Sequence, residues 1–457
     1  MAVWSVANHH SLMASGRADA EFFHPAFLEA ESQLTCIETT VIARYFDISD
    51  GNHLEVSRWF TDEYDAVPYY RGQDLNGFFL EKATPVRIPR RIYDQANMHR
   101  SHFLPEDVLI CIVGASTGTI SVVTSNANRC TGSCKIGIVR RHPSGVVDPY
   151  VLAAFLLGKF GQYQIARHSR GTAQGGLILR DIFKLLVPVL PNSEQELIRR
   201  FVGNALLLST QAIALYSEAE RLLEVELGLD KLTYKKPIGY TAQFSELETS
   251  RRFDPEHYYP AFDDFARSLP RGISLSPLRK HLTFCKRGKQ PIYLSAGLRV
   301  INSKHVQPNR VLIDGNRFAA ANPDSNLQIR DGDTLLNGTG RGTLGRAAPY
   351  LIAEPAVPDN HVTILRSDDL DPVYLSLYLN SAAGQMQVEM FQRGTSGQLE
   401  LYPFDIRRFL VWPAPESLQR ELRGLHEKAA AAERESKQLL EQAKSRVEQL
   451  IEEAARA

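Results

Sequence analysis

Long apolar runs, paired cysteines and an export signal are all missing from this 457-residue sequence. No uninterrupted apolar run reaches the ~18 residues that a membrane-spanning helix requires. The first residues, MAVWSVANHHSL, do not follow the basic and then apolar order of a secretory signal. The five cysteines are scattered, and only Cys130 and Cys134 lie close together, without the second pair that would complete a zinc site. The sequence therefore predicts reduced thiols, a cytoplasmic location and no membrane.

An excess of charge and the common catalytic motifs are missing too. The 52 basic residues balance 52 acidic ones, which argues against coating nucleic acid by charge alone but allows local basic patches. The stretch GTGRGTLG (338–345) lacks the following helix and acidic residue of a dinucleotide site, and GASTGT lacks the lysine of a phosphate-binding loop. No hydrolase, zinc-protease or kinase motif is present, and the histidines are not spaced as metal ligands. We expect no catalytic residues, no metal and no cofactor.

What is present is a repeat half a chain long. RADAEFFHPAF begins at Arg17 and returns as RFDPEHYYPAF at Arg252, with six identities in eleven positions. Three more pairs of segments follow in the same order; they begin at Asp107 and Asp333 (DVLICIVG, DTLLNGTG), Asp148 and Asp371 (DPYVL, DPVYL), and Asp181 and Asp405 (DIFKLLVP, DIRRFLVW). The offset between partners changes slowly and their order never reverses, which indicates two copies of one unit.

Each copy runs into a long amphipathic segment. The first, 193–229, opens with Ser193 and Glu196 at the spacing of a capping box, and the second follows Pro415 to the C-terminus on a heptad pattern with Ser436 as its one polar break. Helices of about 36 to 41 residues would span roughly 54–62 Å. Because an apolar stripe has to be covered, we predict that the two helices pack antiparallel against each other. Packing of each helix on its own domain is the alternative.

The other segments alternate strand-like runs with helices that begin at Asp-Pro. We therefore predict an α+β fold with two tandem α+β domains, joined by two long helices that form an antiparallel coiled coil with pseudo-twofold symmetry. The predicted boundaries are 1–191 for the first domain, 192–230 for the central helix, 231–248 for a linker, 249–414 for the second domain and 415–457 for the C-terminal helix.

Basic and polar side chains cluster in loops of both copies. Arginine and glutamine read guanine and adenine edges in the major groove, and lysine suits phosphate. The composition of these loops therefore indicates DNA binding. The candidates for DNA contact are Arg71, Gln73, Arg90, Arg91, Arg170, Gln174, Lys286, Arg287, Lys289, Arg341, Arg346, Arg393 and Gln398. For any single residue among them, a solvated surface charge is the alternative.

The order of these blocks resembles the specificity (S) subunits of type I restriction–modification systems. The resemblance rests on the two RxDxExxxPAF lead-ins, on VPYYRGQDLNG, on DTLLNGTGRGTLGRA, and on the RGTSGQ block that precedes the second helix, and it covers nearly the whole chain. The first helix starts with the family's EQ pair (Glu194, Gln195), whereas the second starts SLQRE.

This resemblance implies a non-catalytic subunit of a phage-defence system whose two domains are target recognition domains. Each domain would read one half of a split site in double-stranded DNA. The helices would fix the gap between the halves and dock two DNA adenine-methyltransferase subunits, with a restriction or translocase subunit as an optional further partner.

Three alternatives stay open. They are the specificity factor of another methylation-linked phage-defence system, a coiled-coil scaffold that binds only protein, and a stand-alone methyltransferase. At the two lead-ins, the aromatic residues Phe22, Phe23, Tyr258 and Tyr259 are expected to pack each domain against the helices.

Overall fold

The computed structural model describes residues 4–7, 9–80, 85–124, 129–171, 175–232, 239–321, 324–340, 342–394 and 399–457. Its contacts divide the chain into two compact units: Met1–Thr210 with Glu433–Ala457, and Gln211–Ala432. Both boundaries fall inside the long helices, so each unit contains one α+β globular part and a segment of both helices.

In the described part of the chain, the first copy has short helices and strands that alternate before one long helix. The helices are α1 (His9–Ser15), α2 (Pro25–Leu34), α3 (Arg90–Tyr93), α4 (Pro149–Leu157), α5 (Lys159–His168), α6 (Leu179–Ile182) and the long α7 (Asn192–Leu227). The strands are β1 (Thr39–Val41), β2 (Phe46–Asp50), β3 (Val67–Tyr70), β4 (Val86–Ile88), β5 (His102–Phe103), β6 (Val108–Cys111), β7 (Ile120–Val122), β8 (Cys130–Gly132), β9 (Ile136–Arg141) and β10 (Leu186–Pro188).

The second copy follows the same plan and ends in the second long helix. Its helices are α8 (Phe244–Ser250), α9 (Ala261–Ser268), α10 (Pro372–Asn380), α11 (Ala382–Phe391), α12 (Pro403–Ile406) and the long α13 (Glu416–Arg456). Its strands are β11 (Ser276–Pro277), β12 (Leu282–Arg287), β13 (Tyr293–Leu294), β14 (Leu298–Ile301), β15 (Val306–Gln307), β16 (Arg310–Val311), β17 (Phe318–Ala319), β18 (Asp333–Asn337), β19 (Ala347–Tyr350), β20 (Ala356–Pro358), β21 (Val362–Ser367) and β22 (Leu410–Val411).

Among the described residues, each unit contains two four-stranded sheets. The first sheet is antiparallel, in the order β2-β9-β6-β7 in unit 1 and β12-β21-β18-β19 in unit 2. The second sheet, β4-β3-β8-β5 or β13-β17-β14-β20, has one parallel pair in each unit, β3 with β8 and β14 with β20. The predicted α+β duplication is confirmed: the first sheet has the same strand pairing in both units, and the second sheet shares the order β4-β3-β8 with β17-β14-β20. Its fourth strand differs, because β5 pairs with β8 in unit 1 and β13 pairs with β17 in unit 2.

Strand β6 shows why its sequence is apolar without a break. Val108 and Ile110 belong to the core formed with the apolar helix α4, whereas Leu109 and Cys111 belong to a second core with Tyr70 of the other sheet. Because successive side chains of a strand point to opposite faces, a strand covered on both faces is apolar at every position. The layers of unit 1 are therefore helix, sheet and sheet.

The glycine-rich stretches are turns between two strands, as the sequence predicted, and not phosphate loops. Gly114 and Gly118 connect β6 to β7, and Gly340 and Gly345 connect β18 to β19; all four have positive φ, between 79° and 109°. L-residues with side chains rarely adopt this conformation. The turn therefore requires glycine for its shape.

The repeated lead-in closes the C-terminus of a short helix. Arg17 donates to the carbonyls of Arg167 and His168 at the end of α5, and Arg252 donates to those of Phe391 and Gln392 at the end of α11. Each arginine also pairs with the aspartate two residues later. A guanidinium satisfies the free carbonyls of a helix end, which explains why the lead-in is repeated.

The aromatic residues of the lead-in follow these arginines, which corrects one expectation. The ring of Phe22 packs edge-on against His168 with centroids 5.5 Å apart, and that of His257, which adjoins Tyr258, against Phe391 at 5.9 Å. The sequence predicted packing of this segment against the long helices. Phe22 and His257 lie instead against the ends of α5 and α11, beside the arginines that donate to the free carbonyls there.

The two long helices pack antiparallel within each unit, as predicted. In unit 1, Arg446 forms a bidentate ion pair with Glu194, at 2.7 and 2.8 Å, and the buried Ser436 donates to the carbonyl of Ala205 at 2.7 Å. From the first contact to the second, residue numbers rise along α7 and fall along α13, so the two helices run in opposite directions. In unit 2, the rings of Tyr216 and His426 pack edge-on at 5.3 Å.

An Asp–Gln–Arg clamp ties each long helix to its own globular part. In unit 1, Gln195 accepts from the backbone N–H of Asp148 at 2.8 Å, and Arg199 donates to the carboxylate of the same aspartate at 2.5 Å. In unit 2, Gln419 and Arg423 make the same contacts with Asp371, at 2.7 and 2.8 Å. The second helix start, SLQRE, is therefore not a departure from the first, because Gln419 takes the place of Gln195.

Candidate nucleic-acid interface

Arg71 and Gln73 line a cleft in unit 1. The cleft has a volume of about 470 Å³, and its wall includes Phe60, Tyr69 and Lys135 besides the two predicted residues. The side chain of Gln73 is exposed. Arg71 is partly held, because its Nε lies 3.3 Å from the buried carboxylate of Asp74. Burial raises the pKa of Tyr69, which keeps its phenol neutral at physiological pH.

Arg90 and Arg91 form the start of helix α3 and point two exposed cations outward. Arg90 lies 3.4 Å from Asp94 in an exposed pair of little strength. Arg91 borders an open cleft together with Arg58, whose guanidinium lies 4.2 Å from the centre of the Trp59 ring. These exposed cations and aromatic rings suit a polyanion with flat bases.

Arg170 and Arg393 occupy equivalent positions and serve the fold. Arg170 binds the carboxylate of Asp181 at 3.0 and 3.2 Å, and Arg393 binds that of Asp405 at 2.8 and 3.0 Å. Both aspartates are buried. A buried carboxylate needs a charged or hydrogen-bonded partner. The arginine of each Arg-Gly-Thr segment supplies that partner, so its presence is explained by the fold alone. Contact of these two arginines with DNA stays a prediction.

Arg287 is held even more closely. Its guanidinium donates to the carbonyls of Gly338 and Leu401, at 3.1 and 2.7 Å, and lies 3.3 Å from Glu400. The hydrogen bond from Tyr402, and then that from Arg287, lower the pKa of Glu400. Arg346 similarly donates to the side chain of Gln307 at 3.1 Å. These two arginines lock loops of unit 2 and are less available to a ligand than the sequence suggested.

Lys286 and Lys289 are exposed, and no ion pair or hydrogen bond is seen for their ammonium groups among the described residues. Lys286 extends along the Phe284 ring, with its nitrogen 5.5 Å from the ring centre. Among the predicted residues of unit 2, these two suit phosphate best. Gln174, Arg341 and Gln398 lie outside the described residues.

The sequence reasoning missed several residues because it looked for arginine and glutamine beside glycine. Arg317, whose guanidinium lies 3.3 Å above the Tyr293 ring, and the exposed Ile292, Leu294 and Phe318 belong to none of the predicted clusters. A count of charge along the second copy would have pointed to this region.

In the described part of the chain, no group of His, Cys, Asp and Glu could hold a metal ion, and no helix is long and apolar enough to cross a membrane.

These observations define a duplicated α+β protein in which each globular part is clamped to one of two long antiparallel helices. No family model matches the chain. A curated relative, the type I restriction enzyme EcoKI specificity subunit of Escherichia coli (strain K12), is 21% identical over 374 residues, which are 78% of this chain and 74% of the relative. The match confirms the resemblance to type I specificity subunits that the sequence motifs predicted.

Solved structures of the same kind are similar at lower identity. The S subunit of a type I restriction–modification system from M. genitalium is 14% identical, with 90% of this chain and 96% of that chain covered and a TM-score of 0.39. The HsdS subunit from Thermoanaerobacter tengcongensis is also 14% identical, with 91% and 96% covered and a TM-score of 0.30.

Proposed function

We propose that this chain is the non-catalytic specificity subunit of a DNA-methylating restriction–modification complex. Residues 1–191 and 249–414 would act as two target recognition domains, each reading half of a split site in double-stranded DNA. The observation that carries the proposal is the duplicated clamp, in which Gln195 with Asp148 and Gln419 with Asp371 join two copies of one domain to two antiparallel helices. Such a protein presents two different reading surfaces on one frame.

The helices would serve two purposes in this function. A stiff helical pair fixes the distance between two readers, and linking two weak readers raises their affinity through a high effective concentration. The helices would also dock the methyltransferase subunits, two of them in our proposal, which supply the chemistry on adenine. A restriction or translocase subunit is an optional further member of this complex.

Direct DNA contact would come from the exposed candidates. Gln73 in the cleft of unit 1, Arg91 on α3, and Lys286 and Lys289 in unit 2 are free to meet bases or phosphates. Arg170, Arg287 and Arg393 would support the loops that carry such residues, since each of them is bound to a carboxylate.

Coexpression with a candidate type I DNA-methyltransferase subunit, followed by mapping of the modified bases, tests the proposal. We expect methylated adenines within a two-part motif with a fixed gap. A continuous motif, or no sequence preference, would overturn it and would favour a protein scaffold. Binding of S-adenosylmethionine by the purified chain alone would favour a stand-alone methyltransferase instead.

A further inference from the structure

An exposed apolar patch lies on the edge of the second sheet of unit 2. Ile292, Leu294 and Phe318 are 74%, 50% and 37% exposed. Leu294 lies directly opposite Phe318 in the pairing of β13 with β17, so both side chains point to the same face of the sheet. Ile292 precedes Leu294 by two residues and continues this row. Exposed apolar groups that form a row on one face mark an interaction surface.

Positively charged residues border this patch. Arg299 lies opposite Phe318 in the pairing of β14 with β17, on the same face as the patch. Arg317 adjoins Phe318 in the chain and its guanidinium is stacked on the Tyr293 ring, so it lies on the opposite face of the sheet and outside the patch. Lys289, which is exposed, precedes Ile292 by three residues. A partner of the patch must therefore offer apolar groups next to negative charge.

The surrounding segment carries far more positive charge than its counterpart in unit 1. From Leu278 to Asp324, the sequence has nine Lys and Arg residues and two acidic ones, Asp314 and Asp324, a net charge of +7. The equivalent segment of the first copy, Ile42 to Gln95, has seven basic and nine acidic residues, a net charge of −2. The zero net charge of the whole chain thus hides one strongly basic segment, which is the electrostatic mark of a surface that meets the DNA backbone.

The equivalent position in unit 1 has a different chemistry. In the pairing of β3 with β4, Pro68 lies opposite Arg87, as Arg299 lies opposite Phe318 in unit 2. Arg87 donates twice to the carbonyl of Ala66, at 3.0 and 2.8 Å. Unit 1 therefore has a hydrogen-bonded cation at the position where unit 2 has the ring of Phe318. The apolar row therefore belongs to unit 2 and is not a requirement of the shared fold.

On the basis of the proposed function, we propose that this patch reads thymine. The major groove admits a two-stranded β-ribbon, and the thymine 5-methyl group is the apolar group that unmodified bases display there. Ile292, Leu294 and Phe318 would contact that methyl group, while Arg299 and Lys289 meet the flanking phosphates. Unit 2 would thus recognise a half-site with at least one A·T pair, and the reading would be by apolar contact.

Deoxyuridine tests this proposal because it differs from thymidine only by the missing methyl group. The full complex with its methyltransferase subunits is bound to duplexes that carry the mapped two-part site, with each thymine replaced in turn. We expect one or more positions, within one half-site only, at which the replacement weakens binding about fourfold, the effect of one lost methyl contact. The variants Leu294→Ala and Ile292→Ala should bind the thymine and uracil duplexes equally at those positions.

Phe253→Ala is the matched control, since Phe253 is another exposed apolar residue of the same unit, at 82%, and lies outside the patch. This variant should keep the full preference for thymine. If specific binding to the two-part site persists while uracil is tolerated everywhere, the reading of thymine is wrong and the proposed function stands. Patch variants that impair assembly with the methyltransferase but keep the uracil effect would identify a protein interface and would also overturn it. If the wild-type complex shows no preference for a two-part site, the result would instead count against the proposed function.

Discussion

The guanidinium of Arg393 grips the carboxylate of Asp405 with two hydrogen bonds, of 2.8 and 3.0 Å, and Asp405 is completely buried. Removal of the arginine would leave a buried charge without a partner. We expect Arg393→Ala to lower the free energy of unfolding by about 2 kcal/mol, less than for a fully buried pair because water reaches the arginine. Urea unfolding measures the change.

The same variant separates the two roles considered for this residue. If Arg393 mainly supports its loop, a second substitution, Asp405→Asn, should recover part of the lost stability, because it removes the uncompensated charge. A stability equal to that of the wild type in Arg393→Ala, together with weaker DNA binding, would contradict the structural role. Arg170→Ala with Asp181→Asn repeats the test in unit 1, where the ion pair has the same geometry.

Gly51 and Gly288 cannot accept a side chain. A Cβ atom would lie 2.3 Å from the carbonyl oxygen of Ser133 at Gly51, and 2.2 Å from that of Asp359 at Gly288. Because backbone atoms cannot move aside cheaply, each alanine variant should lose more than about 2 kcal/mol of stability. Gly203→Ala is the control: it lies inside α7 with nothing within 4 Å, and should gain up to about 1 kcal/mol. Equal midpoints for Gly288→Ala and the wild type would refute the close approach.

His305 makes the stability of unit 2 depend on pH. Burial, and then the charge of Lys304, lower the pKa of His305 from 6.5 to about 4, and its Nδ1 accepts a hydrogen bond from the backbone of Asn302. Between these two pKa values the unfolded chain binds a proton that the folded unit does not. This contribution to stability is therefore complete above about pH 6.5 and is lost as the pH falls toward 4, by up to about 1.4 kcal/mol per pH unit. His305→Gln should flatten the dependence of the urea midpoint on pH; an unchanged slope would contradict it.

The duplication, the α+β class and the antiparallel helices could be predicted because they rest on patterns that survive in sequence. The repeated segments, such as those that begin at Asp148 and Asp371, are separated by a nearly constant offset, and the heptad pattern shows which faces of the long helices are apolar. The clamp of Gln419 was missed because SLQRE differs from SEQEL at the positions on either side of the glutamine. The DNA contacts were harder to predict for a physical reason. An arginine beside glycine can bind DNA or a buried aspartate, as Arg170 does, and the sequence does not show which of these it contacts.

Salt dependence should separate the two units, since their charges differ in sign over equivalent segments. Each phosphate contact by a lysine releases about one counterion, so its removal lowers the slope of log affinity against log salt by about 1. We expect Lys286→Gln and Lys289→Gln each to reduce the slope of the full complex by about this amount, while the sequence preference is unchanged. Lys159→Gln is the control in unit 1, because the ammonium group of Lys159 is paired with Glu452 at 3.0 Å. Binding measured between 50 and 200 mM salt, the range in which such slopes are resolved, decides the matter. A slope that falls as much for Lys159→Gln as for the unit 2 variants would show that the basic segment does not carry the phosphate contacts.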